Sequence, residues 1–496
     1  MDTSKQNLID KLIKRDEITR YYTNGRDFID DDLIMRQLEA GKKNTDPARI
    51  RDILAKSLAI ETLEPEETAA LLYVTDPELR KEMEETANAI KHKVYDNRIV
   101  TFAPMYISSY CVNRCRYCGF SADNPHQKRR CLTMDEIKAE AEAMTGILGH
   151  KRVMAVYGEH PMTGAEFIAE SLDAIYSVSV KTRHGTSNVR RINVNAAPLS
   201  IDDLKIVQQA GIGTFQVFQE TYSHKTYAEM HPADTVKGDY GWRLTCMHRA
   251  FDAGIDDVGL GVLFGLQPDW RFEVMGLITH ARELERFVGI GPHTFSVPRM
   301  HPASGSDVAN SPSTFTDDNF IHAITVLRLS VPYTGLIVTA RETAELRDRC
   351  LDLGITQMDA STRIDIGGYS QQTTTQKMDE QQFMLGDPRS LEQMIVDLAR
   401  KGIITSFCTA GYRCGRTGGC IMDALKTGKE GTFCKINAVL TYREWLDDFA
   451  SPESIKICEP VIQKELKAIE ETYPLFYPNV LERYNRICAG ERDLYF

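Results

Sequence analysis

From about residue 99 onward, short apolar runs recur between longer amphipathic stretches. The runs are RIVTFAPMYISS (98–109), RVMAVYGEH (152–160), RRINVNAAP (190–198), GTFQVFQET (213–221), DDVGLGVLFGL (256–266), HTFSVPRM (293–300), GLIVTARE (335–342) and ITQMDAST (355–362). Helical patterns such as MDEIKAEAEAMTGIL and SIDDLKIVQQAG separate most of them. Eight β runs in βα alternation predict an α/β fold, a (β/α)8 barrel of the TIM type. Residues 1–95 carry helical periodicity instead, with start signals at Asp46-Pro47 and Glu64-Pro65. The expected organisation is a helical N-terminal segment (1–95), the barrel (96–370) and a mainly helical C-terminal domain (371–496). The last is interrupted by SFCTAGYRCGRTGGC and the loop around Cys434.

Polar residues stand where the apolar runs finish: Glu159, Asn193, Asn195, Gln219, Glu220, Arg299, Arg341 and Asp359. In a parallel barrel the C-terminal strand ends converge on one mouth, where reactive groups sit. Any one of these residues also reads as an ordinary loop start; as a set they predict a site at the mouth.

Composition narrows the class. Hydrophobic residues make up 42% and charged residues 26% of 496, which excludes a disordered or fibrous chain. A formal net charge of -11 argues against nucleic acid or an anionic membrane as partner. No apolar run approaches a membrane span, and the charged start, MDTSKQNLIDKLIKRDEITRYY, resembles neither a signal nor a transit peptide, so a cytoplasmic protein is expected. Twelve cysteines in a large acidic chain fit metal or redox chemistry better than a disulfide framework.

The cysteines cluster. Directly after the first strand comes SSYCVNRCRYCGF, or Cys111-x3-Cys115-x2-Cys118. Three thiolates on one loop can hold three irons of a four-iron four-sulfur cluster, leaving the fourth open to another ligand. S-adenosylmethionine (SAM) suits that iron, because its amino and carboxylate groups can chelate it. Half a zinc knuckle is the competing reading, with Cys131 the sole further candidate nearby.

With this spacing the chain resembles the radical SAM superfamily. Within it, YCGF, YGEHP, INVNAAP, FQETY, HPADTVKGDYGWR, GIDDVGLGVLFGL, GPHTFSVPR and the final GERDLYF resemble the tyrosine lyases of the HydG type (hydrogenase maturation) and ThiH type (thiamine thiazole synthesis). The resemblance covers nearly the whole chain. It implies that Tyr117 contacts the SAM adenine, that Glu159 stands where a partner of the SAM amino group is placed, and that Arg191 and Asn195 lie near its carboxylate or ribose. A structural salt bridge is the alternative for Glu159 and Arg191. It also implies that Arg341 clamps the carboxylate of L-tyrosine, with the hydroxyl of Thr339 two residues before it. The implied reaction abstracts hydrogen from the tyrosine amino group and breaks Cα–Cβ, giving p-cresol and dehydroglycine (2-iminoacetate). ThiH-type enzymes stop there; HydG-type enzymes convert dehydroglycine to carbon monoxide and cyanide on a second cluster. A reductant such as flavodoxin or ferredoxin, and maturation or thiazole-synthesis proteins, are the implied partners. A lyase for another aromatic amino acid and a non-catalytic iron–sulfur scaffold are the other readings.

The HydG-type second cluster uses Cys-x2-Cys-x22-Cys. Its first and third positions match Cys408 and Cys434, but the middle one is Gly411, which has no donor. Cys414 and Cys420 lie close by, so a rearranged cluster through Cys408, Cys414 or Cys420, and Cys434 stands beside a lost or labile one. The resemblance also implies His280 as a ligand to an extra iron beside that cluster; on an amphipathic helix a packed histidine is the alternative.

Overall fold

The computed structural model describes residues 3–311, 313–373, 375–427 and 431–496. Each of the eight predicted runs carries a strand: β1 (Arg98–Ser108), β2 (Arg152–Tyr157), β3 (Arg191–Asn195), β4 (Phe215–Gln216), β5 (Val258–Gly261), β6 (Thr294–Ser296), β7 (Gly335–Val338) and β8 (Gln357–Asp359). All neighbours pair in parallel, and β8 returns to β1 through Val100↔Gln357 and Phe102↔Asp359, which closes the barrel. The (β/α)8 expectation is met. A short further strand, β9 (Ile404–Ser406), pairs beside the start of β1 in the region read as helical. Three residues are too few to show a periodicity of their own.

The N-terminal helices begin where proline and a capping acid coincide. Asp46 accepts from the backbone N–H groups of Ala48 and Arg49 ahead of Pro47–Leu58, and Glu64 and Glu67 form a capping box ahead of Pro65–Leu71. These helices dock on the barrel helix Asp317–Ser330: Leu63 N–H donates to Ser330 O at 2.9 Å, and the Thr68 hydroxyl to Ser330 Oγ at 2.9 Å. Most buried apolar residues join one core spanning N-terminal helices, barrel and C-terminal helices.

A buried ion group ties the C-terminal helix Gly431–Phe449 to the barrel. Glu444 accepts from Lys151 Nζ at 2.8 Å and from both terminal nitrogens of Arg190, and all three side chains are within 1% of full burial. Burial opposes the charges, yet Lys151 and Arg190 hold the Glu444 carboxyl down to about 2, while burial pulls the Lys151 ammonium down to about 8. Glu444→Gln removes the one anion that, among the described residues, touches both cations, and is expected to cost about 3–5 kcal/mol. Urea unfolding checks this; a midpoint unchanged from wild type would contradict it.

Candidate active site

The C-terminal strand ends surround a cavity of about 210 Å³. One wall is the loop after β1. Cys111, Cys115 and Cys118 all line the cavity, and none is in a disulfide. Burial pushes the Cys111 thiol up to about 11 and the Cys115 thiol up to about 12. Protons must therefore leave when a metal binds. N–H donors are already aimed at sulfur: Asn113 donates to Cys111 Sγ from its backbone at 3.5 Å and from Nδ2 at 3.8 Å, and Gln382 Nε2 donates to Cys118 Sγ at 3.4 Å. Donors around free, adjacent thiols suit anionic sulfur, so the residues fit a thiolate-held cluster. Among the described residues no three His, Cys, Asp or Glu side chains are grouped to hold a single metal ion. Cys131 points elsewhere, its thiol 3.8 Å from Leu132 O.

Beside the cysteines lies a polar cradle. His231 Nδ1 lies 2.9 Å from Tyr227 O and donates to it, which leaves Nε2 to accept from the Tyr117 hydroxyl at 2.8 Å. Glu159, two residues past β2, accepts from Asn113 Nδ2, and burial raises its carboxyl pKa. Glu220, in the left-handed region at φ 72°, accepts from Lys237 Nζ at 2.7 Å and from Arg243 Nη2 at 3.5 Å. Burial works against that carboxylate, but the two cations hold its pKa below the usual range. Asn195 completes this side from the end of β3. The cradle presents both charge signs, as an amino acid moiety requires.

The far wall comes from β7. Thr339 follows the strand, and its buried hydroxyl has no hydrogen-bond partner among the described residues. The Arg341 guanidinium lies 3.3 Å from the Phe383 ring centroid and makes one long bond, to Arg299 O at 3.5 Å. Burial lowers its pKa.

Other expected residues lie elsewhere. Arg191 is a correction: it opens β3, about 13 Å of strand below Asn195. Its guanidinium sits 3.5 Å from the Tyr412 ring centroid at the opposite end of the barrel. His280 is buried on the helix Trp270–Val288, its Nδ1 2.9 Å from the Tyr222 hydroxyl and its ring packed on His248 and Phe28; its Nε2 has no hydrogen-bond partner among the described residues. Cys408 follows β9 at φ 46°, its carbonyl accepting from Arg152 Nη1 at 3.3 Å. Cys414 is exposed, with Sγ 3.7 Å from Phe496 O; Cys420 is exposed too, and Cys434 is half-buried on Gly431–Phe449. Lys237, Arg243, Gln382 and Phe383 were not singled out from the sequence, since no spacing links them to the cysteines; Asn113 lies inside the cysteine loop, where its residue type alone carries no signal.

Two family models match the chain: the radical SAM superfamily over residues 105–275, and the Biotin and Thiamin Synthesis associated domain over residues 296–404. A crystal structure of HydG, a maturase of the [FeFe]-hydrogenase, superposes with a TM-score of 0.89 at 40% identity, covering 95% of this chain and 100% of that one. The chain belongs to the HydG family. HydG from Carboxydothermus hydrogenoformans is similar as well, with a TM-score of 0.75 and 34% identity over 92% of this chain and 98% of its own. The 2-iminoacetate synthase of Escherichia coli (strain K12) is 27% identical over 350 residues, 70% of this chain and 88% of the relative. HydG membership makes this a radical SAM enzyme, with a four-iron four-sulfur cluster and SAM as the superfamily's cofactors.

Proposed function

We propose that the protein is a lyase that cleaves the Cα–Cβ bond of L-tyrosine to p-cresol and dehydroglycine. The observation that carries this is one cavity with three thiols on one wall and Arg341 with Thr339 on the other. Held by Cys111, Cys115 and Cys118, the cluster with SAM would supply the radical chemistry that removes a hydrogen atom from the substrate amine. Arg341 binds the substrate carboxylate in a bidentate fork, the arrangement that a planar guanidinium favours. Thr339 gains the hydrogen bond it lacks, to the carboxylate or the amine. Arg341 and burial both disfavour an ammonium ion beside them, so the amine is held neutral. Phe383 under Arg341, together with Tyr106, keeps water from the reacting carbon. Asn113, Glu159, Glu220, Lys237 and Arg243 hold the polar ends of SAM. A low-potential donor such as flavodoxin or ferredoxin supplies electrons, in a cytoplasmic setting that keeps the thiols reduced. Among the described residues no helix is long and apolar enough to cross a membrane.

Anaerobically reconstituted protein given tyrosine, SAM and reductant should form p-cresol and 5′-deoxyadenosine; 5′-deoxyadenosine without p-cresol would reject tyrosine as substrate. A second reading concerns the other product. Gly411 stands where the middle ligand of a second cluster is expected, and Cys414 and Cys420 face solvent, so the reaction stops at dehydroglycine, detected as glyoxylate. Cyanide and carbon monoxide in the same assay would overturn that reading.

Gly411→Cys tests the lost ligand directly. A Cβ there meets nothing nearer than Arg416 O at 3.5 Å, so a cysteine fits without strain. Iron content should rise from about four to about eight per chain after reconstitution. An unchanged count would show that more than one ligand is missing.

A further inference from the structure

We propose that Gln382 is a positioning residue that sets the reduction potential of the cluster through its hydrogen bond to Cys118. The inference rests on the proposed cluster at Cys111, Cys115 and Cys118. Gln382 Nε2 donates to Cys118 Sγ at 3.4 Å, while its Oε1 accepts from the Tyr106 hydroxyl at 3.0 Å. A thiolate can only accept, so the amide turns its NH₂ to Cys118, and the Tyr106 hydroxyl, donating to Oε1, holds it in that orientation.

The backbone holds the amide there. Gly119 N–H donates to Gln382 O at 3.3 Å, and a Cβ on Gly119 would come within 2.7 Å of that oxygen, so glycine is what permits the approach next to Cys118. At the other end of the strap, the N–H groups of Gly386 and Asp387 both donate to Ala340 O, at 2.8 and 3.0 Å. The segment is therefore clamped between the cysteine loop and the strand end bearing Arg341.

One-electron reduction adds one negative charge to the cluster and its thiolates, and the electron comes from the low-potential protein donor; no proton moves. An N–H donor at a thiolate stabilises the more negative reduced state, which raises the potential. Without it the cluster becomes harder to reduce.

The test is an EPR-monitored redox titration of the full-length, anaerobically reconstituted protein without SAM. Gln382→Leu should keep the wild-type iron content and lower the midpoint potential. Tyr106→Phe retains the ring but releases the amide, and should give a smaller shift in the same direction. Gln382→Leu with full iron and an unmoved potential would overturn the proposal. If that variant loses iron, Tyr106→Phe decides: a lowered potential supports the role and an unchanged one rejects it. A purely structural role would alter unfolding and leave the potential alone. Failure of the underlying cluster assignment is distinguishable, because the wild-type protein itself would then lack a four-iron signal.

Discussion

Cys115→Ala should abolish 5′-deoxyadenosine formation. Cys115 is the most enclosed of the three cavity cysteines, 6% exposed, so no outside thiol or water can take over its coordination. Its thiol sits at about 12 in the metal-free protein, mainly through burial, and the thiolate exists only while iron stabilises it. Two remaining thiols cannot hold a cluster that leaves one iron open, and without the cluster no electron reaches SAM. The loss should exceed about 10⁴-fold, because covalent supply of the radical is removed rather than weakened. Cys131→Ala is the control: its thiol faces Leu132 O instead of the cavity, and iron content and turnover should stay at wild-type levels. Appreciable SAM cleavage by Cys115→Ala would reject the cluster assignment. A wild type that itself formed no 5′-deoxyadenosine would instead favour the non-catalytic scaffold.

Arg341→Ala should separate substrate binding from radical generation. Among the described residues the guanidinium is the cation that the segment after β7 brings to the cavity, and its N–H groups make a single long bond. Removing a buried partner of a carboxylate costs about 3–4 kcal/mol, so p-cresol formation at low tyrosine should fall by about 100- to 1,000-fold. The cysteine wall and the SAM cradle are built from other elements, so 5′-deoxyadenosine should still form, uncoupled from p-cresol. Arg341→Lys keeps the charge but loses the fork and the flat face against Phe383, and should recover only part of the rate. Equal loss of both products would place Arg341 in SAM binding instead. An unchanged p-cresol rate would mean that the substrate carboxylate is held elsewhere.

The sequence by itself determined the barrel and the chemistry of its mouth. Apolar runs with helical intervals specify parallel strands, because a parallel strand is buried on both faces and its return path must be a helix. Cys111, Cys115 and Cys118 are close in sequence, so one loop brings them together whatever the rest of the chain does. Arg341 stood out as a polar residue at a strand end, which projects into the mouth by construction, whereas Thr339 was carried by the family resemblance alone. Gly411 was likewise visible, since a missing side chain is a fact of sequence.

Tertiary structure decided what depends on distant segments and on which end of a strand a residue occupies. Arg191 and Asn195 share one short run, yet β3 carries one to the closed end, against Tyr412, and the other to the mouth. Counting along the run does not tell where pairing begins, and four residues of strand are enough to leave the site. His280 has the helical spacing of either a ligand or a core residue, and its packing on His248, Phe28 and Tyr222 is a tertiary contact that spacing does not encode. Gln382 reaches Cys118 across 264 residues of chain, and no local pattern encodes so long a contact. It exists because closure of the barrel returns the segment after β8 to the loop that follows β1.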